Sequence, residues 1–135
     1  MPKDGRLLIV RFSPFTAEGC TKNAQDTFDD DLDEGRPGRY GLSTSGIIVP
    51  TAESVDDAII RLRSIVPLRG RHIAPVWADD LEHSGWVVVP DMPPAAHYLV
   101  GKGDLSDMPD FTDLALIWAD AKRVCPTYRR GGDQR

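Results

Sequence analysis

The chain has 135 residues, of which 41% are hydrophobic and 27% are charged, and its formal net charge is −5. A chain of this length and composition forms one globular domain, which excludes a disordered polymer, a collagen-like repeat and a multidomain enzyme. Its apolar runs have strand length, far short of the roughly 20 residues that cross a bilayer. The first residues lack the apolar core and cleavage site of a secretory signal, so we expect a cytoplasmic protein.

The first apolar run, Leu7–Phe12, predicts a strand near the centre of a sheet. Residues 13–46 show little periodicity beyond a short helical spacing before Phe28, so they predict a long loop. Six acidic residues and no basic residue occupy the nine positions from Asp26 to Glu34. The sequence therefore predicts a long acidic loop after the first strand.

The second half of the chain alternates short strands with helices. The segment after Ser54 has the clearest helical pattern, because Ser54 is a good N-cap and apolar residues recur at i, i+3, i+4 and i+7 until Pro67. Pro75 favours an edge position for the strand that contains it. The further predicted elements are strands over residues 46–49, 73–77, 86–89 and 97–100, a single helical turn over residues 79–84, and a terminal helix from Phe111 to about Val124 capped by Asp110.

This element order predicts an α+β fold. We expect a single domain over residues 1–128, with a mixed or antiparallel sheet of about five strands and two main helices on one face. Residues 129–135 are predicted to form a flexible basic tail.

The acidic segment begins with the spacing of a calcium-binding loop but does not complete the motif. Asp29, Asp31 and Asp33 have the alternate spacing that begins an EF-hand loop. Counting from Asp29, the sixth position is Glu34 instead of Gly and the twelfth is Tyr40 instead of Glu, so the motif fails. A solvated loop and a surface that binds a protein partner are the favoured interpretations, ahead of a weak Ca²⁺ or Mg²⁺ site that is not an EF-hand. The partner-binding interpretation uses Asp29, Asp30, Asp31, Asp33 and Glu34.

The cysteines carry little functional signal. Cys20 and Cys125 lie near opposite ends of the sequence and share no metal-binding spacing. The sequence predicts no bound metal and no cofactor.

The best anion-binding candidate comprises Arg69, Arg71 and His72, since an arginine fork matches phosphate or carboxylate. The alternative is a solvated turn after a helix whose C-terminus favours positive charge. Nucleic-acid binding is not favoured, because the chain is acidic overall and has no RNA-binding, zinc-finger or basic-region motif.

His97 is the most interesting single residue. It opens a strand after the proline-rich segment 93–96, and histidine is the commonest general acid or base. No partner is visible from the sequence, so the alternative is a structural histidine whose ring bonds to the preceding loop. Residues Ser43–Gly46 offer hydroxyl groups without the GxSxG elbow, and they do not predict a hydrolase.

The stretch Val88–Gly101, with its proline-rich turn, the pair Ala96 and His97, a short strand and a glycine, resembles a diffuse group of small uncharacterised bacterial proteins. The resemblance covers about residues 70–126. It implies no particular activity and draws attention only to His97.

Two functions follow as hypotheses. The first is a small cytosolic bacterial accessory or protein-interaction domain, working in regulation, defence or toxin–antitoxin control, with a protein partner and no membrane; for this function the sequence does not favour catalysis, and it leaves the question open. The alternative is a small enzyme acting on a phosphate-bearing substrate such as RNA or a nucleotide, with His97 as acid or base and Arg69, Arg71 and His72 holding the anion. The sequence leaves the oligomeric state open.

Overall fold

A computed structural model describes residues 5–67 and 70–126, which form one sheet flanked by four helices. The strands are β1 (Arg6–Phe12), β2 (Leu42–Val49), β3 (His72–Trp77), β4 (Val87–Pro90), β5 (His97–Gly101) and β6 (Arg123–Val124). The helices are α1 (Ala17–Asp33), α2 (Val55–Arg63), α3 (Ala78–His83) and α4 (Thr112–Ala121).

The sheet is antiparallel throughout, with the strand order β4-β5-β2-β1-β3-β6. This arrangement confirms the α+β prediction and the central position of β1. The register sets Ser45 opposite Val10 on one side and opposite His97 on the other. These pairs fix the positions of β1, β2 and β5 relative to one another. His97 lies near the point where the pairing of β1 with β2 ends.

The sixth strand replaces the end of the predicted terminal helix. Lys122 leaves the helical conformation, with φ −61° and ψ 134°, and Arg123 then pairs with Ile73. Because β6 covers only the first two residues of β3, the outer edge at Pro75 needs no backbone donor. The edge position predicted from this proline is therefore correct for that part of β3.

The helices cover both faces of the sheet, which corrects the expectation that the two main helices share one face. Along β1, Leu8 and Val10 pack with the buried residues of α2, whereas Ile9 packs with those of α1, α3 and α4. Alternate residues of a strand point to opposite faces, so α2 and α4 lie on opposite sides. The continuous apolar run of β1 reflects this burial on both faces.

The predicted acidic loop is mostly helix α1, a correction with a clear physical cause. The Thr16 side chain caps the helix by accepting the Gly19 N–H at 3.1 Å, and Cys20 and Ala24 are buried against the core. The next buried position along α1 is Asp31, a charged residue two positions before the helix ends. The apolar periodicity that reveals a helix is therefore lost in its second half, and the true connection is the short segment before Leu42.

The predicted tail, residues 129–135, lies outside the described residues. No helix in the described part of the chain has the length and apolar character that crossing a membrane requires.

Candidate functional site

His97 lies between a carboxylate and a hydroxyl. Its Nδ1 is 3.0 Å from Asp91 Oδ2 and 3.1 Å from the Asp91 carbonyl oxygen, and its Nε2 is 2.6 Å from Ser43 Oγ. Both groups facing Nδ1 are acceptors, so in the neutral ring Nδ1 carries the hydrogen and donates it. Nε2 then accepts the Ser43 hydroxyl hydrogen. We call this arrangement the Ser43–His97–Asp91 relay.

The loop between β4 and β5 holds Asp91 beside the ring. The Asp91 N–H donates to the His97 carbonyl oxygen at 2.9 Å, which closes the loop at its base. At its other end, the Ala96 carbonyl accepts the Gly46 N–H at 2.8 Å. Ala96 has φ +62°, in the left-handed region that few residues other than glycine adopt. The relay is therefore built on a loop fixed at both ends to the sheet.

Ser43 lies where the β1–β2 ladder has ended, and two side chains take over its backbone hydrogen bonds. Arg11 Nη1 donates to the Ser43 carbonyl at 2.9 Å, and the Ser43 N–H donates to Asn23 Oδ1 at 2.8 Å. Arg11 is only 2% exposed, and this burial lowers the pKa of its guanidinium. Its Nη2 donates to the Pro14 carbonyl. These contacts tie Ser43 to β1 and α1 without occupying its hydroxyl.

Asn23 contributes a second polar group at this point. With Oδ1 committed to the Ser43 N–H, its Nδ2 faces the other way and makes no hydrogen bond to any described residue. Asn23 also lines the cavity described below. Asn23 and Ser43 thus both line this cavity, and the Asn23 amide donor has no partner among the described residues.

Arg39 holds the Asp91 carboxylate on the side away from His97. Its Nη1 donates to Asp91 Oδ1 at 2.9 Å, while Nε and Nη2 bind the two oxygens of Asp31, each at 2.9 Å. The Arg39 guanidinium holds the pKa of the Asp31 carboxyl below its usual range. Reciprocally, the bond to Asp31 raises the pKa of Arg39. Asp91 therefore presents Oδ2 to His97 because its other oxygen is held by Arg39.

Close packing positions the segment that carries Arg39. The rings of Phe28 and Tyr40 stack with centroids 4.3 Å apart. Gly38 lies beneath Phe28 so closely that a Cβ at this position would overlap the ring. A glycine is required here because α1 and the returning chain touch at this point.

The relay opens into a polar cavity of about 510 Å³ between α1, the segment before β2 and the β4–β5 loop. Its charged lining is acidic, with five carboxylates and two guanidinium groups. The charged residues are Asp26, Asp30, Asp31, Glu34, Asp91, Arg36 and Arg39. The volume lies in the range of small-molecule sites.

Arg71 and His72, the two described residues of the predicted anion-binding group, do not line this cavity. Arg71 and His72 are exposed at the start of β3, and β1 and β2 separate β3 from the strand of His97. Three strand spacings correspond to roughly 14 Å. Arg69 lies outside the described residues. The structure thus does not bring Arg71 and His72 to His97.

The predicted acidic surface divides in two. Asp30, Asp31 and Glu34 line the cavity, whereas Asp29 and Asp33 do not. Asp31 is buried and paired with arginines. In residues 5–67 and 70–126 no three His, Cys, Asp or Glu side chains converge as metal ligands would.

From the sequence alone, Ser43 and Asp91 were missed as partners of His97, and Asn23 and Arg39 were missed as the residues that hold these two partners. Each comes from a different element, so no local spacing joins them. The proline-rich approach to His97 was the one usable signal, since it indicated a fixed loop on which a partner such as Asp91 lies. The predicted contact between the histidine ring and the preceding loop is present.

Comparisons with protein-family models, with curated proteins and with solved structures found no match for this chain. The resemblance carried by residues 88–101 stays a prediction. The function is therefore argued from the geometry alone.

Proposed function

We propose that this protein is a small serine hydrolase that cleaves an ester or amide by acyl transfer, with Ser43 as nucleophile, His97 as general base and acid, and Asp91 as the group that orients His97. One observation carries the proposal: Ser43 Oγ, both nitrogens of His97 and the Asp91 carboxylate form one hydrogen-bonded series that opens into a cavity. This order of groups is the one by which serine hydrolases activate a hydroxyl.

The chemistry proceeds in two stages. Ser43 Oγ bonds to the substrate carbonyl carbon while its proton passes to His97 Nε2, and Asp91 stabilises the resulting imidazolium. Collapse of the tetrahedral intermediate breaks the bond to the leaving alcohol or amine, which takes the proton from Nε2. Water, deprotonated by His97, then attacks the Ser43 ester and releases the acid and the free hydroxyl.

The developing negative charge on the carbonyl oxygen needs a donor in place beforehand. We assign this role to Asn23 Nδ2, because Asn23 lines the same cavity as Ser43 and Nδ2 has no partner among the described residues. Removing a single donor of this kind costs about 100-fold in rate or more.

This proposal replaces the phosphate-bearing substrate of the sequence-based alternative. The described part of the cavity has more carboxylates than guanidinium groups, and a negative field disfavours a nucleotide or RNA. The arginine and histidine that were to hold the phosphate lie across the sheet.

The test is the hydrolysis of p-nitrophenyl acetate by the purified protein and by S43A. We expect S43A to lose activity by about 1,000-fold or more, since the variant lacks the attacking oxygen. The matched control is S45A, because Ser45 lies on the same strand and face, is buried, and belongs to no relay. Equal rates for the protein, S43A and S45A overturn the proposal.

A second candidate function, the protein-interaction domain, is favoured by the outer side of α1. Leu32 is 53% exposed there between acidic residues, and Asp29 and Asp33 are exposed outside the cavity. An apolar residue within a charged rim is typical of a docking patch. The test passes an extract of the host over the immobilised protein. A basic protein that binds at low salt, and that no longer binds to D29N/D33N or L32S, supports this function. Retention that these variants leave unchanged contradicts it.

A further inference from the structure

We infer that the substrate of the Ser43–His97–Asp91 relay carries a positively charged group on its acyl side, in the manner of a lysyl or arginyl ester or amide. This inference rests on the proposed function and names its substrate class. It follows from which charged side chains of the cavity are held by other buried or paired groups, and from where the two remaining carboxylates lie.

Each of the cavity's two guanidinium groups is paired with two protein carboxylates. Arg36 Nη2 lies 2.8 Å from Asp31 Oδ1 and 2.7 Å from Glu34 Oε1. Arg39 is held by Asp31 and Asp91. A substrate anion would therefore meet guanidinium groups whose charge the carboxylates of Asp31, Glu34 and Asp91 already balance, which weakens its attraction to this cavity.

Two carboxylates of the lining are not committed in this way. The Asp30 carboxylate has no hydrogen bond or ion pair with any described residue, and among the described residues the Asp26 carboxylate pairs only with Lys22, whose Nζ is 3.4 Å away with both side chains well exposed. An exposed ion pair of this kind is weak, so Lys22 holds the Asp26 carboxylate only loosely. These two carboxylates are thus available to a ligand.

Helix geometry sets the distance between these carboxylates and the reacting atom. Asn23 contacts Ser43, and Asp26 and Asp30 follow it on the same helix face at i+3 and i+7. With a rise of 1.5 Å per residue, they lie about 4.5 Å and 10.5 Å farther along the axis. A side chain with the length of lysine or arginine spans this interval from a carbonyl carbon at Ser43.

The cavity supplies the room and the field for such a group. Its volume of about 510 Å³ accommodates an amino-acid derivative. The reacting hydroxyl, the amide donor Asn23 and the uncommitted carboxylates all face this one space. A cationic acyl group is therefore drawn toward the relay, and an anionic one is repelled.

The experiment compares three p-nitrophenyl esters of matched length: 6-aminohexanoate, hexanoate and the adipate monoester. We expect kcat/KM to be highest for the cationic ester, about tenfold above the neutral one, and lowest for the anionic ester. D26N/D30N should bring the cationic-to-neutral ratio close to one. High salt should reduce the ratio as well, because it screens exposed charges.

The matched control is D29N/D33N, which removes the same charge from the same helix outside the cavity. It should keep the preference for the cationic ester. Hydrolysis with no such preference, or a preference that persists in D26N/D30N, overturns this inference while leaving the hydrolase proposal standing. Failure of all three esters to react overturns the hydrolase proposal itself.

Discussion

His72 and His97 each open a strand, on opposite sides of the central pair of strands, yet their surroundings differ. His72 is exposed at the start of β3, and its ring has no hydrogen-bond partner among the described residues. His97 bonds through both ring nitrogens, to Asp91 and to Ser43, and lines a cavity. In the sequence the two positions look alike, since each is a histidine at the beginning of a short apolar run.

The difference comes from elements far apart in the chain. Around His97, the β4–β5 loop supplies a carboxylate, β2 supplies a hydroxyl, and the segment after α1 supplies Arg39. A histidine gains the means to move a proton in a defined direction only when both nitrogens are committed. We therefore propose His97 as the reactive histidine and use His72 as its matched control.

The largest expected effect separates the two histidines by activity. H97A should lower ester hydrolysis by about 1,000-fold or more, because Ser43 loses its base, whereas H72A should leave the rate within about twofold. Steady-state kinetics at neutral pH check this, with circular dichroism to show that both variants fold. Equal losses in the two variants contradict the assignment.

The next effect concerns the buried charge behind His97, which has no counterpart at His72. D31N should lower the free energy of unfolding by about 2–4 kcal/mol, because Asp31 is buried and Arg39 would keep its charge without a full partner. Chemical denaturation measures this change. D33N, an exposed neighbour on the same helix, should change the free energy by less than about 0.5 kcal/mol.

A smaller effect is expected from the close packing that sets the position of Arg39. G38A should lower the free energy of unfolding by about 1–3 kcal/mol, because the added methyl overlaps Phe28. The variant F28L makes room for the methyl group, so the pair G38A/F28L should lose less than the sum of the single variants. Additive losses would show that the two residues are not in contact.

The smallest effect is a difference in acid sensitivity. Because the pKa of Asp31 is lower in the folded protein than its usual value, its contribution to stability is fully present above about pH 4 and is lost as the pH falls further. The wild-type protein should therefore lose more stability than D31N between pH 5 and pH 3. Urea denaturation over this range measures the two slopes, and parallel slopes contradict the assignment.

Much of the fold could be predicted from local patterns. The apolar run of β1, the Ser54 cap of α2 and the turn signals around α3 are all short-range features, and the structure confirms these elements. The second half of α1 was missed because the buried position there is Asp31 rather than an apolar residue. Placement of helices on both faces depends on packing, which a list of elements does not determine.

The site was less accessible than the fold. His97 stood out because its chemistry is distinctive, but Ser43 was set aside for lacking an elbow motif that belongs to a different architecture. Its partnership with His97 arises from the β2–β5 register, in which Ser45 stands opposite His97. Only the paired sheet brings a serine at position 43 to a histidine 54 positions later.

The most direct test of the central claim is covalent labelling of Ser43 by a fluorophosphonate, followed by mass spectrometry of the intact protein and of its peptides. The account predicts a single adduct on the peptide that contains Ser43, formed at least 100-fold more slowly in H97A and at an unchanged rate in H72A. Absence of an adduct on Ser43, or labelling that is equally fast in H97A, would contradict it.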